Sequence, residues 1–267
     1  MPHRKSGPAT KWAGKWALVT GASAGIGQEL AAQLAAGGVN LVITARRKQR
    51  LDALAEKLRG SGVNVQAIVA DLADPSAPQQ IREFTDAKQI EVELLINNAG
   101  FGAYGPFHRV DIARQLEMIR VNCSAVVHLT YLYLRDMIAR GHGDILILSS
   151  VAGFQAVPYI STYAATKAFD LRFAEGVAAE ARRHGVNVCA LCPGSTSTEF
   201  REVARQPENT FRGAQTAEKV ARSGLRALAH GKSSIISGVR NRLSVEGQRF
   251  APRGLVTAVA AKMFEPD

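Results

Sequence analysis

Thr20-Gly21-Ala22-Ser23-Ala24-Gly25-Ile26-Gly27 closes the run Trp16–Thr20 and opens an amphipathic stretch, Ile26–Ala36. A short apolar run, then closely spaced glycines, then a helical period predicts a strand, a tight turn and a helix. Glycine tolerates the backbone angles of such a turn and lets another group approach the main chain. A helix starting there aims its unbonded N–H groups and positive dipole end at whatever the turn cradles. Gly21, Ser23, Gly25, Ile26 and Gly27 are therefore candidates for holding a diphosphate. The spacing is Gly-x-x-x-Gly-x-Gly, not the Gly-x-Gly-x-x-Gly of the commoner dinucleotide fingerprint.

The rhythm continues outward from this turn. Strand candidates at Asn40–Thr44, Val63–Val69, Leu94–Ile96, Asp144–Leu148, Val186–Leu191 and Ser234–Ser237 alternate with helical stretches. Those stretches are Lys48–Arg59, Pro75–Lys88, Ile112–Arg140, Ser161–His184 and Ala217–His230. Solid apolar strands separated by helices predict an α/β fold. It is a doubly wound parallel sheet of about seven strands with helices on both faces. Gly37-Gly38, Gly60, Gly141 and Gly185 fall where helices should stop. With 267 residues and no internal linker, residues 1–267 read as a single domain. Two regions break the rhythm. A polar, aperiodic segment near 195–215 reads as a lid loop. Residues 239–267 form a tail with an apolar stretch, Leu255–Phe264, after Arg-rich sequence.

Composition narrows the function classes. No apolar run approaches the ~18–20 residues a membrane span needs. Met1–Lys15 is basic and polar, without the apolar core of a signal peptide, so a cytoplasmic location is expected. Cys189 and Cys192 form a lone CxxC inside an apolar run, with no second pair and no histidine cluster. They read as packing residues, and no metal site is expected. Net charge is +10, but most basic residues are scattered, and no nucleic-acid motif accompanies them.

Arg46-Arg47 is the informative basic pair. About twenty residues beyond the glycine turn, an NAD enzyme places an acid on the ribose diol. Here the position is basic, which fits charge-assisted forks to a 2′-phosphate. Further candidates follow successive strand ends: Asp71 and Leu72, then Asn97-Asn98-Ala99-Gly100, Ser149-Ser150, and Pro193-Gly194 with Thr196 and Thr198. Downstream, Tyr163 and Lys167 lie four apart on a helix and share a face. A nearby ammonium stabilises a phenolate, so Lys167 is expected to depress the Tyr163 pKa and fit it for proton transfer.

Taken together and in order, these motifs resemble the short-chain dehydrogenase/reductase family over nearly the whole chain. The match covers Thr20–Gly27, Asn97–Gly100, Asn122, Ser150 thirteen residues before the tyrosine, Tyr163–Lys167 and Pro193–Gly194. The resemblance implies a Rossmann-like fold and NADP(H) as cofactor. It implies a hydride moved between nicotinamide and a carbonyl or alcohol carbon. It casts Tyr163 as proton donor or acceptor and Ser150 as the hydrogen bond to the reacting oxygen. Lys167 would hold the nicotinamide ribose, and Asn122 would position a water in the proton path. Asp71 would meet the adenine, Asn98 to Gly100 would line the cofactor, and Pro193–Thr198 would hold its nicotinamide end. Asn97 would tie strands together, and Ser149 would bond to backbone. Related enzymes pair through the helix that carries the tyrosine. Phe169, Phe173 and Val177 therefore point to a homodimer or homotetramer.

The runs Phe101–Phe107 and Phe154–Pro158 follow strand ends and are largely apolar, which points to a hydrophobic ketone or alcohol. His108 reads as a surface or structural histidine. Two other readings stand beside this one: a membrane-associated long-chain 3-keto-acyl or steroid-type reductase using the basic, apolar tail, and a non-catalytic NADP-binding sensor. The intact set Asn122, Ser150, Tyr163 and Lys167 argues against the sensor.

Overall fold

The computed structural model describes residues 7–206 and 213–265. The part of the expected lid at 207–212 and the tail residues 266–267 lie outside the described residues. The first half of the chain runs β1 (Trp16–Thr20), α1 (Gly25–Ala36), β2 (Asn40–Ala45), α2 (Lys48–Arg59), β3 (Val65–Val69), α3 (Ala77–Ala87), β4 (Val92–Asn97), α4 (Ile112–Ile119) and α5 (Ala125–Arg140). Next come β5 (Gly143–Leu148), α6 (Ser161–Ala181), β6 (Val186–Cys192), β7 (Thr196–Ser197), α7 (Phe200–Ala204) and β8 (Gln215–Thr216). The chain then continues through α8 (Ala217–Ala229), β9 (Ser234–Ile236), α9 (Val239–Gly247) and α10 (Arg253–Phe264).

Seven strands form one parallel sheet in the order β3-β2-β1-β4-β5-β6-β9. The chain winds one way from β1 and then the other way from β4, so strand order reverses between them. The carboxyl ends flanking that reversal open the crevice where such sheets bind ligands. Alternation along each strand separates two cores. Leu18, Leu95 and Ile145 face α3, α5 and α6, where Ile81, Leu129 and Leu171 meet them. Ala17, Val19 and Ile96 face α1, α2 and α8, where Leu30, Leu51 and Leu225 meet them. Each fully buried Leu or Ile contributes roughly 1.5–3 kcal/mol, so these two layers hold the strand ends rigidly in register.

Two features depart from the sequence expectation. The helix expected over Ile112–Arg140 is interrupted by a π-helical turn at Arg120–Ser124. Such a turn inserts one residue into the helical ladder, a defect common at functional sites. Here it carries Asn122. The N-terminal segment also does more than its polar composition indicates. A 3₁₀ turn at Pro8–Trp12 buries Trp12, whose Nε1 donates to Asp144 Oδ2 at 2.7 Å, while Lys11 Nζ reaches Asp144 Oδ1 at 2.9 Å. In the expected lid region, β7 pairs with β8 and α7 adds a short helix.

Candidate active site

The glycine turn is as tight as its sequence requires. Gly21 has φ of +65°, and a Cβ there would lie 2.8 Å from Ala99 Cα. A Cβ on Gly27 would lie 2.4 Å from the Gly21 carbonyl oxygen. Thr20 Oγ1 accepts from the main-chain N–H of Asn98 and Ala99 at 2.9 and 3.0 Å, and Asn98 Nδ2 donates to Thr20 O at 2.8 Å. These bonds lock the Asn98–Gly100 loop against the turn. The first turn of α1 has no side-chain cap and no acidic residue, which leaves its N–H groups for an anion. A cavity of about 390 Å³ lies over this turn. Every residue expected at the site lines it except Asn122. The uncapped helix end and the space kept clear by the glycines fit the diphosphate of a dinucleotide.

At the end of β2 both arginines already have carboxylate partners. Arg46 is 3.2 Å from Glu117 and 3.9 Å from Asp71. Arg47 is 2.9 Å from Glu199 and also donates to Ser23 Oγ, while Arg50 pairs with the other Glu199 oxygen. Hydrogen bonds from Arg47 and Arg50 hold the Glu199 carboxyl below its ordinary value. Leu72 is buried in the cavity wall, and Asp71 accepts from Ala73 N at 3.0 Å.

The chemical groups gather where β5, β6 and α6 meet. Ser150, at the end of β5, accepts from Ala152 N at 3.1 Å, and its Oγ lies 3.4 Å from Pro193 O. Tyr163 and Lys167 sit on the buried face of α6. Lys167 Nζ donates to Leu148 O at 2.7 Å and to Asp170 Oδ2 at 2.9 Å, and lies 5.9 Å from the Tyr163 ring centre. Asn122 is fully buried and stands just behind the cavity. Its Nδ2 donates to Phe101 O and Thr166 Oγ1, both at 3.0 Å, and its Oδ1 accepts from Phe101 N at 3.1 Å. Its amide therefore ties the Gly100–Phe101 loop to α6. Ser149 Oγ donates to Lys167 O at 2.7 Å, the backbone bond expected of it. Asn97 bonds Thr130 on α5 at 3.0 Å, so it ties its strand to a helix, not to another strand.

One electrostatic expectation is reversed. Burial pushes the Tyr163 phenol above its ordinary value, and Asp170 adds to the rise. Lys167 and Ser150 oppose it without overcoming it. Burial is the main cause, and the Asp170 carboxylate is a lesser contributor. Sequence reasoning missed it, because an aspartate on a helix normally reads as solvent-facing.

Residues 15–209 match the profile of the family described as short chain dehydrogenase. The chain belongs to that family. This short-chain dehydrogenase is 31% identical to a short-chain dehydrogenase from Sphingobium yanoikuyae solved in complex with NADPH. That alignment covers 91% of this chain and 95% of the other, with a TM-score of 0.81. It is 29% identical to a 7beta-hydroxysteroid dehydrogenase from Clostridium sardiniense, over 94% of this chain and 96% of that protein. It is 34% identical to a very-long-chain 3-oxoacyl-CoA reductase from Podospora anserina, over 75% of this chain but 61% of that longer protein. The short-chain dehydrogenase is accordingly an oxidoreductase acting on a CH–OH/C=O pair with a nicotinamide dinucleotide.

The substrate side of this short-chain dehydrogenase corrects the sequence reading in part. Of the run Phe101–Phe107, only Phe101 lines the cavity. Tyr104 is turned away, its hydroxyl donating to Phe264 O at 2.8 Å, and Phe107 is exposed. None of Phe154–Pro158 reaches the cavity, because the 3₁₀ turn at Val151–Phe154 packs Phe154 against the core. His108 is exposed, as expected. The aromatic wall comes instead from Phe200 on α7 and Phe264 at the end of α10. Phe200 lies just past the Pro193–Thr198 motif and Phe264 far from any motif, and only the folded chain shows that both face the cavity. Cys189 and Cys192 are free, fully buried packing residues.

Proposed function

We propose that this oxidoreductase uses NADPH to reduce a bulky, apolar ketone to a secondary alcohol, with the reverse oxidation through the same groups. The observation that carries the proposal is a single cavity that joins three features. The glycine turn and Arg46-Arg47 lie at one end, Ser150, Tyr163 and Lys167 at the other, and Phe101, Phe200, Val203 and Phe264 contribute apolar surface. A reduced nicotinamide dinucleotide, held by its diphosphate at the glycine turn, would supply the hydride.

The chain's own residues handle the oxygen. Ser150 Oγ holds the substrate carbonyl by a hydrogen bond, freed by exchanging its long contact to Pro193 O. Tyr163 Oη gives its proton to that oxygen as negative charge develops there. Lys167 holds the ribose and carries positive charge beside Tyr163. Asn122 keeps the Gly100–Phe101 loop in place against α6 and positions a water that extends the proton path. Gly21, Ser23, Gly25, Ile26 and Gly27 bind the diphosphate. Asp71 and Leu72 border the adenine with Asn98, Ala99 and Gly100. Pro193, Gly194, Thr196 and Thr198 hold the nicotinamide end. Arg46 and Arg47 take the 2′-phosphate, which sets the preference for NADPH.

Related names support the apolar substrate class, since they include a hydroxysteroid dehydrogenase and a long-chain 3-oxoacyl-CoA reductase. The reading includes one domain whose segment near 195–215 acts as a lid, in a reducing, cytoplasmic setting. It also includes a homodimer or homotetramer. Phe169, stacked on Phe173 at 5.8 Å and 42% exposed, supports pairing through α6. The test is NADPH oxidation against a panel of small aliphatic, aromatic and polycyclic ketones. Turnover concentrated in the bulky ketones is expected. Activity confined to small polar carbonyls would refute the substrate class.

A further inference from the structure

Asp170 lies three residues beyond Lys167 on α6 and is fully buried. Its Oδ2 accepts from Lys167 Nζ at 2.9 Å, and its Oδ1 has no hydrogen-bond partner among the described residues. Buried carboxylate oxygens are seldom left unpaired, and one that persists calls for a reason. Tyr163, Lys167 and Asp170 occupy positions i, i+4 and i+7 of one helix, so they form a single stripe of phenol, ammonium and carboxylate. The other titratable groups around this stripe are Cys123, beside the π-helical turn, Cys192 at the end of β6, and Glu175 further along α6. Both thiols are pushed up to about 12 by burial, so they stay neutral near working pH.

We propose that Asp170 is a positioning residue of the reaction. Its carboxylate anchors the Lys167 ammonium, offsets that charge as felt by Tyr163, and so keeps Tyr163 a proton-carrying phenol, poised for carbonyl reduction.

The chemistry follows from what an unpaired Lys167 does. A lone buried ammonium beside a phenol strongly favours the phenolate, which is the form that accepts a proton in alcohol oxidation. A carboxylate 2.9 Å from the same ammonium turns a unit charge into a dipole, whose influence falls off faster with distance. Burial works most strongly against the Lys167 charge, yet Asp170, with smaller contributions from Tyr163 and Cys123, holds the ammonium above the ordinary lysine value. Asp170 also raises Tyr163, in the same direction as burial. In reduction, hydride goes to the carbonyl carbon and the Tyr163 Oη proton to the oxygen. The phenolate left behind takes a proton back from water. A site whose resting tyrosine holds its proton begins that cycle ready.

The inference rests on the proposed role of Tyr163 as proton donor, and the experiment separates the two. Asp170→Asn keeps the shape and removes the charge, while Leu148 O still accepts from Lys167. The rate of NADP⁺-dependent alcohol oxidation is followed against pH for both proteins. The phenolate absorbance change of each is titrated against its own Tyr163→Phe control. The variant's oxidation profile and phenolate titration are expected to move down by about one pH unit, the size of shift one neighbouring charge imposes. An unmoved profile, with or without an even loss of rate at every pH, overturns the proposal. Asp170→Ser, which leaves room for a water on Lys167, carries the same expectation if Asp170→Asn does not fold. Failure of both to fold makes Asp170 purely structural and also overturns it. If Tyr163→Phe alone retains turnover, the mechanism itself has failed, whatever Asp170 does.

Discussion

The Phe200 ring lies 5.1 Å from the Tyr163 ring, tilted by 53°. It does so because Gly102 leaves room: a Cβ at Gly102 would stand 2.9 Å from Phe200 Cζ. The first residue of α7 thus occupies space beside the group that we cast as proton donor. Phe200→Ala is expected to raise kcat/KM for the bulkiest ketones and lower it for small ones. The change should be about tenfold, the scale on which one apolar contact discriminates substrates. A ketone series measured on both proteins checks this. Parallel changes across the whole series would remove Phe200 from substrate selection.

In the proposed reading, cofactor choice turns on arginines that are already engaged. Glu199 sits 2.9 Å from Arg47, so a 2′-phosphate and Glu199 compete for one guanidinium. Glu199→Gln is expected to tighten NADPH binding several-fold and leave NADH unchanged, since NADH brings no competing anion. Arg46→Asp should erode or invert the preference, because it sets a carboxylate where the 2′-phosphate would sit. Fluorescence titration of the unmodified protein and both variants with both cofactors measures all six constants. Equal affinity of the unmodified protein for NADPH and NADH would sink the arginine assignment.

The thiols give a check on the core. Burial holds Cys123, Cys189 and Cys192 at about 12. Thiolate is the reactive form, so all three should resist a disulfide exchange reagent at pH 8 in the native state. All three should react at once in guanidinium. Fast labelling of Cys189 or Cys192 in the folded protein would contradict the packing described for β6.

The sequence discloses this molecule unevenly, and the division has a physical basis. The glycine turn is readable because tight backbone needs leave few residue choices at Gly21 and Gly27. Tyr163 and Lys167 are readable because helical spacing alone puts them on one face. The α2 boundaries, Lys48–Arg59, are read to the residue, because a clear apolar stripe ends at Gly60. The π-helical turn at Asn122 is invisible, since one extra residue in a hydrogen-bonded ladder leaves no mark in composition. Phe200 and Phe264 reach the cavity only through tertiary packing. Asp170 goes unread, because only the folded chain reveals its buried place and its partner.

In the proposed mechanism Tyr163 carries the reaction, and its removal is the decisive measurement. Tyr163→Phe deletes only a hydroxyl, so fold and NADPH binding should survive. Turnover should fall by at least the ~10²–10⁴-fold that general acid catalysis supplies. Lys167 needs a more careful variant. Lys167→Ala strands the Asp170 carboxylate in the core, and breaking a buried pair costs about 3–5 kcal/mol. Its loss of activity would therefore mix chemistry with unfolding. Lys167→Arg keeps the charge and should preserve stability while weakening cofactor affinity and rate, because a planar fork replaces a point donor. The pH dependence has a definite sign. Burial holds Tyr163 above the ordinary phenol value, so the phenol predominates through neutral and mildly alkaline pH. Ketone reduction, which uses the phenol, should stay level over that range. Alcohol oxidation, which needs the phenolate, should climb steadily across it. Both rates are read in the same buffers, with circular dichroism confirming each variant is folded. Near-normal turnover in Tyr163→Phe on any good substrate would show that another group moves the proton.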